Sequence, residues 1–180
     1  MTITMTGKEY NGLMRYLKAG LFKGNTKLAL QKIHIYNNEN QVTFESCNGY
    51  MIKRQTFMVT DGDLIDFDMT IDVPPIKVLS KDIVTLEFLT TGLNLSVNGT
   101  WYSIQSTGLE YINTYNVFNK PEENVIEYGF NVDYLKKVLD GYTGKAKLTL
   151  KTDNNVTAVF IEDLDDTGKV SMVLPLRMRK

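Results

Sequence analysis

The 180 residues carry 20 Lys and Arg against 21 Asp and Glu, a formal net charge of -1, so bulk charge does not drive nucleic-acid binding and any such contact must come from a local basic face. At 43% hydrophobic and 23% charged, the chain can bury a core rather than stay disordered, and its length suits one medium domain or two small ones. A single cysteine, Cys47, excludes an intrachain disulfide and favours a reducing compartment; without a signal-peptide pattern in M-T-I-T-M-T-G-K-E or an apolar run long enough to span a membrane, the expectation is a soluble cytoplasmic protein.

The chain opens with a short strand, Thr2 to Met5, and a capping box, T-G-K-E, in which Thr6 is the N-cap and Glu9 reaches back. The helix that follows is predicted to run to about Gly20. Tyr10, Leu13, Met14, Leu17 and Leu21 share one face, and Lys8, Arg15 and Lys18 cluster on the other. After a K-G-N-T turn come three strand runs, L-A-L-Q-K-I-H-I-Y, Q-V-T-F-E-S-C and Y-M-I-K-R-Q-T-F-M-V. Asn48-Gly49 reads as a two-residue hairpin turn between the last two.

Asp61-Gly62-Asp63 is a turn, and L-I-D-F-D-M-T-I-D then alternates, with Ile65, Phe67, Met69 and Ile71 on one side. Pro74-Pro75 suits the opening of a helix, so a short helix is predicted over I-K-V-L-S-K. Strands I-V-T-L-E-F-L, L-N-L-S-V and W-Y-S-I-Q-S follow, with a second hairpin turn at Asn98-Gly99. Residues 108–124 read as an irregular connector.

The last third opens with the extended run V-I-E-Y-G-F-N. A helix follows with Asn131 as N-cap, Gly141 at its end, and Phe130 and Leu135 placed for a hydrophobic staple. Val132, Leu135, Val138 and Leu139 fall on one side of it. Three strand runs complete the segment, and Ala146, Leu148 and Leu150 form the predicted buried face of the first. Asp166-Thr167-Gly168 occupies the place of the earlier hairpin turns.

The order strand, helix, strand, strand, strand therefore recurs three times. The fold class is α+β, with antiparallel sheets outside and helices on one face. Residues 1–107 form one domain of two units (1–60 and 61–107), 108–124 a connector, and 125–180 a third, half-domain unit. An ordinary α+β domain with coincidental hairpins is the alternative. An odd number of units leaves sheet edges to be covered, most simply in a twofold homodimer.

Catalytic constellations are poor. His34 has no neighbouring acid or cysteine pattern, and Cys47 has no base beside it. Glu162, Asp163, Asp165 and Asp166 lack the spacing of a calcium loop and read as a solvated hairpin, and no phosphate-cradling glycine loop is present. No cofactor or metal is expected, and a small hydrolase is the weakest reading.

Two phrases carry a resemblance. Gly129-Phe130-Asn131-Val132-Asp133-Tyr134-Leu135 and Leu174-Pro175-Leu176-Arg177-Met178 resemble the closing motifs of the bacterial DNA polymerase III beta subunit, the sliding clamp. Asn48-Gly49-Tyr50 resembles a further phrase of that family. A clamp protomer in that family has three domains of two units each, whereas three units here make one and a half domains. A reduced, phage-encoded relative fits this best. The resemblance implies a non-enzymatic protein whose helices face duplex DNA through Lys8, Arg15, Lys18, Lys23, Lys27, Lys77, Lys81, Lys136 and Lys137. It also implies a pocket for a polymerase-like partner at Leu174, Pro175, Leu176, Arg177 and Met178. The alternative is a phage-encoded inhibitor that reuses the fold against a host machine. An anti-CRISPR acting on an RNA-guided nuclease is one example, presenting Glu122, Glu123, Asp163, Asp165 and Asp166. Either would act in the cytoplasm of a bacterial host cell.

Overall fold

Strand β1 (Thr2–Thr6) buries Ile3 and Met5 and turns its threonines outward, the alternation expected of a strand with one covered face. Thr6 then caps helix α1 (Gly7–Lys18). Its hydroxyl accepts the Glu9 N–H at 3.3 Å, and the Glu9 carboxylate accepts the Thr6 N–H at 2.8 Å. Tyr10, Leu13, Met14 and Leu17 are buried along the helix, as their spacing predicts. The computed structural model describes residues 1–49, 51–59, 65–114, 128–139, 142, 144–153, 156–165 and 170–176.

Two local expectations around the first sheet are corrected. Leu28–Gln31 is a 3-10 turn rather than strand, closed by the Lys32 N–H to the Ala29 carbonyl and held by Gln31, whose side-chain amide donates to the Gly24 carbonyl. Strand β2 therefore begins at Ile33 (Ile33–Asn38). Strands β3 (Gln41–Cys47) and β4 (Ile52–Met58) follow, with Cys47 opposite Ile52. Their connection is thus residues 48–51, not a two-residue turn, and the Asn48 side chain accepts the Met51 N–H across it.

Strand β5 (Asp68–Ile71) buries Met69, Thr70 and Ile71, with Phe67 buried just before it. The helix predicted over 76–81 is absent, because the segment's apolar pattern has period two: Pro74 and Val78 are buried and Ile76 is half-buried, whereas Lys77 and Leu79 point out. Its carbonyls serve a neighbour instead. The first-turn N–H groups of α1, which have no partner within their own helix, donate from Gly7 to Asp82 at 2.7 Å and from Lys8 to Ser80 at 3.1 Å. Asp82 holds the segment by accepting the Leu79 N–H at 2.7 Å. Strands β6 (Ile83–Leu89), β7 (Gly92–Val97) and β8 (Thr100–Gln105) complete the second unit. Asn98 and Gly99, at φ +50° and +85°, make the two-residue turn of the kind expected between β7 and β8.

The strands form two antiparallel sheets, β1-β6-β7-β8 and β5-β2-β3-β4. Each unit lends its first strand to the other. β1 joins β6, with Ile3 opposite Leu86, and β5 joins β2, with Met69 opposite Ile35. One core results, containing Ile33, Ile35, Phe44, Leu86, Phe88 and Leu95 together with the buried face of α1. Phe67 stacks on Phe88 at 5.2 Å within it.

Helix α2 (Val132–Leu139) is capped by Asn131, whose side-chain oxygen accepts the Asp133 and Tyr134 N–H groups at 2.9 and 3.2 Å. It lies with a three-stranded antiparallel sheet, β9-β10-β11 (Ala146–Asp153, Val156–Asp163, Val170–Val173). The buried core here is small. Val159, Ile161 and Val173 gather Phe130, Leu135, Val138, Tyr142 and Ala146 around them. The predicted burial of Leu148 and Leu150 is corrected, since they remain 62% and 45% exposed, and Val132 and Leu139 on α2 are exposed as well. Gly141 and the Asp166-Thr167-Gly168 turn lie outside the described residues. The chain falls into two compact parts, Met1–Thr114 and Tyr115–Lys180.

Candidate nucleic-acid interface

The outward side of α1 carries Lys8, Asn11, Arg15 and Lys18 at steps of three, four and three residues, which set side chains along one stripe about 15 Å long. Lys8, Arg15 and Lys18 are exposed, and Asn11 is half-buried because its amide donates to the Val78 carbonyl at 2.9 Å. These four residues, with Met14 and Ser80, line a shallow groove of about 440 Å³. Lys18 also borders a second hollow of about 540 Å³, where Lys23 and Asn25 join it. No carboxylate lines either hollow among the described residues. Glu9 lies on the first turn of the helix. The Thr6 backbone N–H and hydroxyl engage its carboxyl and hold it below its ordinary pKa. Arg15 and Lys18 occupy the last turn, where the helix dipole favours cations.

The remaining nominated cations are dispersed. Lys27 sits beside Phe22, with Nζ 5.9 Å from the ring centroid, and lines neither hollow. Lys77 and Lys81 are exposed on or beside the extended 73–80 segment rather than one turn apart on a helix. Lys136 and Lys137 are exposed on α2, in the other compact part. One contributor was not nominated from sequence. Asn11 completes the α1 stripe, three residues after Lys8, so the helical period already marked it. Lys53 on β4 lies over the Tyr16 ring at 4.3 Å, a contact set by tertiary packing, and lines neither hollow.

Solved structures share this architecture. The chain superimposes on a DNA polymerase sliding clamp from Bacillus subtilis with a TM-score of 0.70 at 10% identity, covering 97% of this chain and 49% of that one. DNA polymerase III subunit beta from Borrelia burgdorferi, solved with a natural product, gives 0.65 at 14% identity over 97% of this chain and 47% of that one. The beta subunit from Thermotoga maritima gives 0.63 at 11%, over 97% and 50%. The fold is that of a DNA sliding clamp. The chain spans about half the length of each of these structures. No family model and no curated protein sequence matches it.

On the opposite face of the β5-β2-β3-β4 sheet, this clamp fold carries a buried polar ladder. Register places His34 opposite Glu45 and Glu45 opposite Arg54. Arg54 donates to Glu45 through Nε at 2.8 Å and Nη2 at 2.6 Å, Thr114 donates to it at 2.6 Å, and His34 meets Asp68 at 2.8 Å. His34 thus has acids beside it, contrary to the sequence reading, but they arrive from neighbouring strands. Burial alone would raise the pKa of the Glu45 carboxyl. The His34 ring, with Nδ1 4.0 Å from the carboxylate, the hydrogen bonds from Thr114 and Arg54, and the Arg54 charge outweigh it and hold that carboxyl below its ordinary value. Tyr111 stacks on His34 at 4.4 Å, and the Thr107 N–H donates to the Thr70 carbonyl at 2.7 Å, so the ladder straps residues 106–114 across the sheet. Arg54 and Glu45 engage each other directly, and Glu45 is fully buried.

In the second compact part, Leu174 and Leu176 are 54% and 53% exposed, with Pro175 between them after the end of β11. Leu176 returns to the fold by donating its N–H to the Gly129 carbonyl at 2.7 Å. Arg177 and Met178 lie outside the described residues. Of the acidic group, Asp163 accepts the Asp165 N–H at 3.0 Å and Glu162 pairs with Lys147 at 2.8 Å, which is hairpin chemistry. No group of carboxylates, histidines or cysteines suited to a metal occurs among the described residues, and no helix there is long and apolar enough to cross a membrane.

Proposed function

We propose that the chain is a non-enzymatic, sliding-clamp-like protein that holds duplex DNA against α1 and docks a protein partner at the end of β11. The α1 groove carries this reading: three cations and an amide line it along one helical stripe, with no carboxylate to oppose a phosphate. Long, flexible cations along the side of a helix suit phosphate contacts, which position DNA without reading its sequence. His34 and Glu45, the nearest approach to acid–base machinery, are consumed in the ladder, which supports a binding role over catalysis. The half-exposed Leu174 and Leu176 flanking Pro175 offer an apolar seat for a short peptide from a polymerase-like protein. Of the acidic residues that an inhibitor would present to a basic partner, Asp163 accepts the Asp165 N–H within its own hairpin, and Glu122, Glu123 and Asp166 lie outside the described residues.

Fluorescence anisotropy with two labelled duplexes of unrelated sequence tests the DNA reading. Equal affinity for both is expected at low salt, with loss of both on Arg15→Glu combined with Lys18→Glu. Binding that survives the double reversal, or that depends on sequence, contradicts it.

A further inference from the structure

The hollow beyond the end of α1 differs in kind from the groove along it. Its floor is apolar, built from Leu21, Phe22 and Val73, all half-buried. Its rim is polar and cationic, with Lys18, Lys23 and Asn25 exposed. The loop that supplies most of it is pinned at three points. The Leu21 N–H donates to the Lys18 carbonyl at 3.3 Å, the Phe22 N–H donates to the Leu30 carbonyl at 2.9 Å, and the Gln31 side-chain amide donates to the Gly24 carbonyl. Gly24 sits so close to the Phe22 ring that a Cβ there would meet its tip. The hollow is therefore formed before a ligand arrives, which lowers the cost of binding one. Its volume of about 540 Å³ is that of a small-molecule site, the scale of one nucleotide rather than of a double helix.

We propose that this hollow takes one unpaired nucleotide where a duplex lying along α1 opens into single strand, with the base on Phe22 and its phosphate held by Lys18 and Lys23. Three observations support the choice of ligand. An aromatic floor beneath flexible cations suits single-stranded nucleic acid, because a base stacks on the ring while the cations follow the backbone. The charge is complementary: no carboxylate lines the hollow, and Lys27 adds a third cation, its Nζ 5.9 Å from the Phe22 ring centroid. The site is also continuous with the α1 groove, since Lys18 lines both. A strand leaving the groove at the last turn of α1 thus meets the hollow next. Every base has a flat face, so the preference is for an unpaired base and not for a particular one. The inference rests on the reading of α1 as a duplex-binding surface and deepens it, from duplex alone to the junction between double and single strand.

Fluorescence anisotropy at low salt compares a blunt duplex with the same duplex carrying a single-stranded tail on one strand or the other. A tail of one polarity is expected to tighten binding about 10-fold, the contribution of one stacked base, whichever base stands first in it. Phe22→Leu keeps the floor apolar but removes its flat face. It should abolish the gain and leave affinity for the blunt duplex unchanged. Lys23→Gln, at an exposed position, should reduce the gain in the same selective way. A readout independent of any variant comes from iodouracil placed as the first unpaired base: irradiation should crosslink it to Phe22, located by peptide mass spectrometry. Equal affinity for blunt and tailed duplexes, a gain that survives Phe22→Leu, or a crosslink only outside the hollow overturns the proposal. Blunt-duplex binding without a gain from either tail leaves the duplex reading of α1 standing; failure to bind any of the duplexes removes both.

Discussion

Glu45 and Arg54 form a buried ion pair in the first compact part, and both charges depend on it. Removing one partner strands the other, so Arg54→Met should destabilise the fold by about 3 kcal/mol in chemical denaturation, and adding Glu45→Gln should recover part of the loss. The pH dependence has a definite sign. The Glu45 carboxyl is held below its ordinary value of 4.5, so the stability it contributes is present above that pH and is lost as pH falls through the depressed folded value. Wild-type protein should therefore lose stability more steeply below pH 4.5 than Glu45→Gln, and parallel curves would contradict the ladder's role. Tyr10 makes the opposite case. Its hydroxyl is buried without a partner among the described residues, and burial pushes its pKa up to about 12. Tyr10→Phe is expected to be neutral or to stabilise by roughly 1 kcal/mol, because an unsatisfied buried hydroxyl costs free energy.

Among the elements, α1 was legible because its determinants are local: the cap, the first-turn glutamate and the spacing of Tyr10, Leu13, Met14 and Leu17 all lie within its own residues. The misread segments failed for non-local reasons. Pro74-Pro75 fits the start of a helix, but the carbonyls beyond it are claimed by the first turn of α1, and the period-two pattern of Ile76 and Val78 was the better guide. The two Asn-Gly pairs look alike, yet only Asn98-Gly99 closes a two-residue turn; the other spans 48–51 because register places Cys47 opposite Ile52. The His34 ladder left no trace in sequence spacing, since strand pairing alone brings 34, 45, 54 and 68 together. The fit of α1 against its neighbour also depends on Gly7, where a Cβ would collide with the Leu79 carbonyl. Gly7→Ala should lower stability by about 1 to 3 kcal/mol, as overpacking does, and an unchanged melting curve would show that the segment can yield.

For the molecule as a whole, reciprocal exchange of β1 and β5 turns two sequence units into one core, while the third unit stands with a small core of its own. The two-unit strand order of the first compact part was readable from the alternating runs; the exchange was not, because nothing in β1 names β6 as its partner. The outward side of α1 carries Lys8, Arg15 and Lys18, and the proposed function requires these cations to hold phosphates. Affinity for duplex DNA measured between about 50 and 200 mM salt tests this most directly, because each phosphate neutralised adds about 0.9 to the negative slope of log affinity against log salt. Wild-type protein should give a steep linear loss, and Lys18→Ala with Arg15→Ala should make the slope shallower by about 2. An identical slope for wild type and variant, or an affinity that does not respond to salt, would contradict phosphate binding by α1.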